Sequence, residues 1–298
     1  MDAHKSGFVN IIGRPNVGKS TLMNALLGER MSIITNKPQT TRHRIIGLLS
    51  TDDYQIVFSD TPGMIDDPNY KMQEAMNRFV YSSFEDADIM LFVTQPGEIY
   101  SEDHPLLSKL RGVTVPLILL LNKMDLASEE ELVALESWWT ARVPFTEVIR
   151  ISALQKKNTP HLVSLLLSYL PEGPAYYPKD QLSDRPERFF ISEIIREKIL
   201  EQYHQEIPYS TEVAIESFRE DQTRAGEPLT RISAIIYVMR TSQKAIMLGK
   251  GGSAIKALGT EARKAIETFL DGKVFLELHI KVREKWRDDE QWLRRFGY

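Results

Sequence analysis

The octapeptide Gly13-Arg14-Pro15-Asn16-Val17-Gly18-Lys19-Ser20 matches GxxxxGK[ST] and constrains the fold more than any other stretch of this chain. It follows an apolar run, FVNIIG from Phe8, that reads as a strand. It opens Lys19–Leu27, which reads as a helix. A strand, a glycine-rich turn and a helix in that order turn backbone N–H groups and a helix N-terminus toward one point, where a phosphate can sit. Lys19 is then placed to pair with β- and γ-oxygens, and Ser20 to set its hydroxyl on Mg2+.

Further apolar runs follow at Tyr54 (YQIVFSD), Asp88 (DIMLFVT), Pro116 (PLILLLN) and Thr146 (TEVIRIS). Helical stretches alternate with them at Met72–Ser83, Asp103–Leu110, Glu129–Thr140 and Pro160–Tyr169. Strands this apolar are buried on both faces, and their alternation with helices predicts a doubly wound, mostly parallel α/β sheet. Ligands are expected at the carboxyl ends of its strands. From Pro171 to Pro186 four prolines interrupt any period, which reads as a linker. Beyond it a helix (Phe189 to about Glu206), two strands (Glu212–Arg219, Thr230–Arg240), a short helix (Gln243–Leu248), a longer one (Ser253–Phe269), a strand (Lys273–Val282) and a final helix predict a small α+β domain. The division expected is 1–172, 173–187 and 188–298.

Asp60-Thr61-Pro62-Gly63 ends the second of these runs, where Asp60 can hold Mg2+ through water and the Gly63 N–H can approach a γ-phosphate. Between the two motifs, Pro38-Gln39-Thr40-Thr41-Arg42 carries a threonine able to complete the magnesium shell, and Thr41 is favoured over Thr40. Lys19, Thr41 and Gly63 are therefore the residues expected at the reacting phosphate. Asn122-Lys123-Met124-Asp125 follows the PLILLLN strand. Asp125 can accept both hydrogen bonds from guanine N1–H and the 2-amino group, whereas adenine would leave that carboxylate unpaired. Ser152-Ala153-Leu154 would present a backbone N–H to guanine O6. Met64 stands where a water-orienting glutamine is found in Ras-like proteins, so slow hydrolysis helped by a partner or a monovalent cation such as K+ is expected. Asn16 either ligates that cation or braces the loop. GTP and GDP are thus the expected ligands.

Gly249-Lys250-Gly251-Gly252 lies between two helices as GxxG does in KH domains, where such a loop approaches the backbone of single-stranded nucleic acid. Arg240, Lys244, Lys256, Arg263 and Lys264 are nearby phosphate candidates. The net charge is −4, yet from Arg231 to Arg287 twelve Lys and Arg face five Asp and Glu. Trp286 and Trp292 read as packing residues, with base stacking as the alternative; Trp138 and Trp139 read as filler on a helix. Asp103 and His104 suggest acid/base chemistry, but no partner for them is visible in the sequence. The absence of cysteine excludes disulfides and thiolate chemistry. With no apolar run of membrane-spanning length, a cytoplasmic protein is expected unless it docks on a membrane surface. A monomer is expected.

GRPNVGKS, KPQTTRHRI, DTPG, NKMD and SAL in this order, followed by the Pro-rich stretch, LGKGGSAIK and WRDDEQWLRRFGY, make the chain resemble the bacterial Era GTPases over essentially its whole length. The resemblance implies a P-loop NTPase G domain of the TRAFAC class, Ras-like in fold, joined to a type II KH domain. It further implies binding to the single-stranded 3′ end of 16S rRNA, a role in 16S rRNA processing and 30S ribosomal subunit assembly, and peripheral contact with the inner membrane. A hydrophobic residue at Met64 agrees with that family.

Overall fold

Strand-forming sequence surrounded by helix-forming sequence gives the N-terminal half of the chain its layered shape. The structure, a computed structural model, describes residues 4–298. It comprises one unit of residues 4–34, 41–68 and 73–184 and a second of residues 35–40, 69–72 and 185–298. In the first unit, β1 (Lys5–Ile12), β2 (Ile45–Ser50), β3 (Tyr54–Asp60), β4 (Ile89–Thr94), β5 (Leu117–Leu121) and β6 (Glu147–Arg150) form one sheet of order β2-β3-β1-β4-β5-β6. Only β2 is antiparallel. Every residue of β4 and β5 is buried, as strands covered by helices on both faces require. Each such Leu, Ile or Phe contributes roughly 1.5–3 kcal/mol through removal from water.

The helices of this unit are α1 (Lys19–Leu27), α2 (Lys71–Ser82), α3 (Pro105–Arg111), α4 (Glu129–Thr140) and α5 (Thr159–Tyr169). Local chemistry fixes their ends. Ser128 and Glu131 form a reciprocal capping box that starts α4, while Gly28, in the left-handed region at φ 75°, stops α1. Trp139 is fully buried against Phe92, Tyr100 and Phe145, so it anchors the core on one face of the sheet. Trp138 is only partly buried and carries Arg142 over its ring.

Two elements differ from expectation. Strand β2 was not expected, because Gly47 interrupts IIGLLS and the strand forms the sheet's edge, where burial does not impose a continuous apolar run. The Pro-rich stretch is no free tether in its first part. Gln55 holds the Tyr176 and Tyr177 amides and the Tyr177 carbonyl, Leu48 N–H donates to Leu182 O, and residues 173–184 belong to the first unit.

In the second unit, α6 (Glu187–Gln202) precedes β7 (Glu212–Gln222), β8 (Pro228–Val238), α7 (Thr241–Leu248), α8 (Ser253–Leu270), β9 (Val274–Val282) and α9 (Glu290–Phe296). The sheet order is β7-β8-β9, with β7 and β8 antiparallel and β8 and β9 parallel. The parallel pair needs a long crossover, which α7 and α8 supply. Ile232, Ala234, Ile236 and Val238 alternate onto one face of β8 and pack with Ile191, Ile195 and Ile199 of α6 and Leu258, Ala262 and Ile266 of α8. Trp286 is fully buried and donates its indole N–H to Ser210 O at 3.0 Å, which makes it a packing residue. Trp292 is half-buried, with Arg283 and Arg295 each 4.9 Å from its ring.

Candidate functional site

The motifs separated in sequence converge because parallel strands end on the same side of the sheet. β1 runs into Gly13–Ser20, β3 ends at Asp60, β5 runs into Asn122–Asp125 and β6 into Ser152–Leu154. The first turn lies where neighbouring connections diverge, between β3 and β4, the place at which open α/β sheets bind ligands.

Within that turn Gly18 adopts φ +100°, and a Cβ there would collide with the amide of Asn122. Gly18 caps α1 with no side-chain hydrogen bond, so the first N–H groups of the helix remain directed at an incoming anion. Lys19 is buried and folds over the loop, donating to Gly13 O at 2.9 Å and Arg14 O at 2.8 Å. Burial lowers its ammonium to about 8, against the opposing pull of the Asp60 and Glu98 charges. It is a cation held in a dry site with a carboxylate nearby, and phosphate oxygens would restore its preference for the charged form.

Ser20 Oγ donates to Asp60 Oδ2 at 2.6 Å and lies 2.8 Å from Thr41 Oγ1. Thr40 turns elsewhere, its hydroxyl donating to Lys37 O at 2.6 Å, so Thr41 is the threonine that meets Ser20. Asp60 is fully buried. Burial pushes its carboxyl up, while Lys19 and the Ser20 hydroxyl pull it down. Its Oδ1 takes no hydrogen bond of normal geometry. An orphaned carboxylate oxygen beside two hydroxyls is an all-oxygen donor set that suits a hard cation such as Mg2+.

Gly63 presses on the phosphate loop. A Cβ there would lie 2.6 Å from Pro15 Cα and nearer still to the Pro15 nitrogen. Thr61 donates to Ile11 O at 2.9 Å, and Asn77 clamps both the N–H and the carbonyl of Ile65, at 3.0 and 2.8 Å. Met64 is partly buried and packs against the apolar cluster that contains Ile12 and Tyr100, so the side chain in the glutamine's place leans on the core.

On the base side Asn122 braces the site. Its amide nitrogen donates to Val17 O at 2.7 Å and its oxygen accepts from Ala153 N–H at 3.0 Å, tying the phosphate loop to the Ser152–Leu154 turn. Lys123 Nζ donates to Asn16 O at 2.8 Å, which stretches its stem along the site, and Met124 N–H donates to Ile151 O at 3.1 Å. Asp125 is exposed, and Leu126 and Leu154 expose 73% and 80% of their surfaces. A carboxylate in water flanked by apolar side chains can receive a flat base that brings its own donors.

A cluster on the far flank of the phosphate loop was not anticipated. Arg14 places its guanidinium 4.1 Å from the centre of the Tyr100 ring and 3.3 Å from Asp66. His104 also meets Asp66, at 3.3 Å, and caps α3 by accepting Leu106 N–H on Nδ1 at 3.2 Å. So His104, without a visible partner in the sequence, has two. Asp103 stays exposed; hydrogen bonding, first from the Ser101 hydroxyl, lowers its carboxyl. Tyr100 donates its hydroxyl to the buried Glu98, which also accepts from Thr94 Oγ1 at 3.0 Å. The proline at N1 of α3 was the one sequence signal for His104 as a cap.

In the second unit Gly249, Gly251 and Gly252 all have positive φ (70°, 62° and 80°) and form a tight turn between α7 and α8. Arg240, Lys244, Lys250 and Lys256 make no ion pair among the described residues. Arg263 and Lys264, by contrast, are engaged along α8 with Glu267 and Glu261. Ile246 and Leu248 are exposed beside the turn at 54% and 36%.

Residues 8–123 match the family model described as the 50S ribosome-binding GTPase, and residues 206–287 match that of the KH domain. GTPase Era of Syntrophus aciditrophicus (strain SB) is 47% identical over 295 residues, 99% of this chain and 95% of that protein. Two solved structures superpose with a TM-score of 0.92 at 35% identity, covering 99% of both chains. One is a variant of Aquifex aeolicus Era bound to GDP.AlF4−, the other Era in complex with MgGDPNP and nucleotides 1506–1542 of 16S ribosomal RNA.

Proposed function

The chain belongs to the Era family of GTPases, a P-loop G domain followed by a KH domain, and on that premise we propose that it is a GTP-driven switch whose output is single-stranded RNA binding. The RNA is the 3′ end of 16S rRNA, and the process served is 16S rRNA processing and 30S subunit assembly. One observation carries this reading. The Gly249–Gly252 turn brings two helices together without side-chain bulk, and Lys250 in it, Lys244 and Lys256 on the two helices and Arg240 at the far end of α7 make no ion pair among the described residues. Such a turn admits a sugar–phosphate backbone, and the exposed Ile246 and Leu248 offer apolar surface to unstacked bases. The relative solved with 16S rRNA supports the choice of ligand.

In the GTPase reaction the chain's own groups bind and orient. The amides of Gly13–Ser20 and Lys19 would hold the phosphates, Ser20, Thr41 and Asp60 would hold Mg2+, and Asp125 would select guanine. Mg2+, when bound, would supply neutralisation of the phosphate charge. Gly63, against Pro15, sets an amide toward the γ-phosphate. With a thioether at Met64, water must be oriented by another group, and K+ at Asn16 is our assignment for part of that assistance. An unchanged hydrolysis rate when Na+ replaces K+ removes the cation. We place the protein in the cytoplasm with peripheral inner-membrane contact, which co-sedimentation with anionic liposomes tests.

The deciding experiment is the affinity for an RNA copying the 16S 3′ tail, with GDP and with a non-hydrolysable GTP analogue, at one salt concentration. Tighter binding with the analogue, abolished by Lys250→Asp together with Gly251→Asp, is the expected result. Binding indifferent to those substitutions removes the KH turn from the reading.

A further inference from the structure

We propose that Asp66, clamped between Arg14 and His104, is a positioning residue for GTP hydrolysis, a latch that holds the segment after Gly63 against the phosphate loop. The inference concerns the hydrolytic step, and it rests on the γ-phosphate side of the site described above.

Gly63, Met64, Ile65 and Asp66 are each tied down by a different neighbour. Gly63 lies on Pro15, Met64 enters the apolar cluster, and Ile65 is clamped by Asn77. Asp66 closes the series, with Oδ2 3.3 Å from Arg14 Nη2 and Oδ1 3.3 Å from His104 Nε2. His104 Nδ1 accepts the Leu106 N–H, which leaves Nε2 facing the Asp66 carboxylate at 3.3 Å. His104 is fixed in that position by its duty as the cap of α3.

Arg14 is fixed from behind. Its guanidinium lies over Tyr100, whose hydroxyl is committed to the Glu98 carboxylate, itself buried and held by Thr94 at the end of β4. A phenol donating to a carboxylate carries more electron density in its ring, which strengthens the ring's attraction for a cation. The path runs from the core strand β4 through Glu98 and Tyr100 to Arg14, a residue of the phosphate loop, and ends on the loop that carries Gly63. Arg14 and Asp66 side chains are 36% and 52% exposed, so the latch is weak enough to open with each cycle.

None of these side chains is among those assigned to the phosphates or to Mg2+. Their effect should fall on kcat while GDP affinity stays. Because Asp66→Asn removes the carboxylate charge from the half-exposed pair with Arg14 and from the contact with His104, it should lower single-turnover kcat about three- to tenfold. Asp66→Glu, which keeps the charge, should restore at least half of the rate. The wild-type rate should also fall as inert salt is raised at constant K+, and this dependence should be lost in Asp66→Asn, because screening acts on the ion pair. Gly63→Ala is measured alongside. If Asp66→Asn hydrolyses GTP at the wild-type rate while Gly63→Ala does not, the latch is overturned and the phosphate site stands. If neither variant changes the rate, the latch falls together with the assignment of Gly63. Equal losses in GDP affinity and kcat would make Asp66 merely structural and would also sink the proposal.

Discussion

Replacing Gly63 by alanine tests the geometry on which hydrolysis depends. The added methyl would sit 2.6 Å from Pro15 Cα, whereas ordinary contact begins at 3.4 Å. Pro15 cannot yield, since its loop is pinned by Lys19 on two carbonyls and by Asn122 on Val17 O. The Gly63 strand of the contact must therefore retreat by close to 1 Å. A misplacement of about 1 Å at a reacting centre costs on the order of 100-fold in rate, or about 2.7 kcal/mol of barrier. GDP lacks the γ-phosphate, so its affinity should stay within about twofold, well under 1 kcal/mol. Single-turnover hydrolysis with excess enzyme, paired with fluorescent GDP titration, separates the two quantities. A Gly63→Ala protein that hydrolyses GTP within threefold of wild type (less than about 0.7 kcal/mol) would refute the close-contact argument.

Further outcomes are expected at other levels. Lys19, lowered to about 8 by burial, regains its proton when phosphates bind, so affinity is full below pH 8 and weakens as pH rises through it. Calorimetry of GDP binding in two buffers without Mg2+ should then show uptake of about half a proton at pH 8 and almost none at pH 6.5. Asp125→Asn exchanges an acceptor for a donor, so GTP affinity should drop at least about 100-fold while xanthosine triphosphate, with an oxygen in place of the 2-amino group, should bind better than GTP. Trp286→Ala should cost the second unit about 3–5 kcal/mol in denaturant unfolding, because it opens a buried volume and strands Ser210 O. Lys256→Ala should reduce the salt slope of RNA binding by about 0.7, whereas Lys264→Ala, already paired with Glu261, should change it by much less.

The nucleotide site was legible in the sequence to the extent that chemistry dictates residue type at fixed spacing. A phosphate cradle needs glycines and a lysine at the start of one helix, and a guanine reader needs a carboxylate at the end of one strand. Those demands are local, so Gly13–Ser20, Asp60–Gly63 and Asn122–Asp125 stand out in the chain. What was not legible depends on proximity through space. Thr40 and Thr41 are adjacent in sequence, and only the position of Ser20 distinguishes them. The edge strand β2 is met on its open side by Leu182 and Ser183 from a distant segment, which its own residues do not announce. Asp66, Tyr100 and His104 share no motif, since Asp66 comes from the loop after β3 and Tyr100 and His104 from the loop before α3. Their types are also common on surfaces, where the same residues would be solvated. The distinction has a mechanistic consequence. Groups that touch the nucleotide must keep their identity, whereas groups that hold those groups in place need only supply a donor, an acceptor or a ring at the correct position. With Met64 in place of a water-orienting glutamine, the latch we propose would put part of the hydrolytic control into that second category. The rate should consequently respond to substitutions at Arg14, Asp66 and Tyr100, which a comparison of motifs alone would pass over.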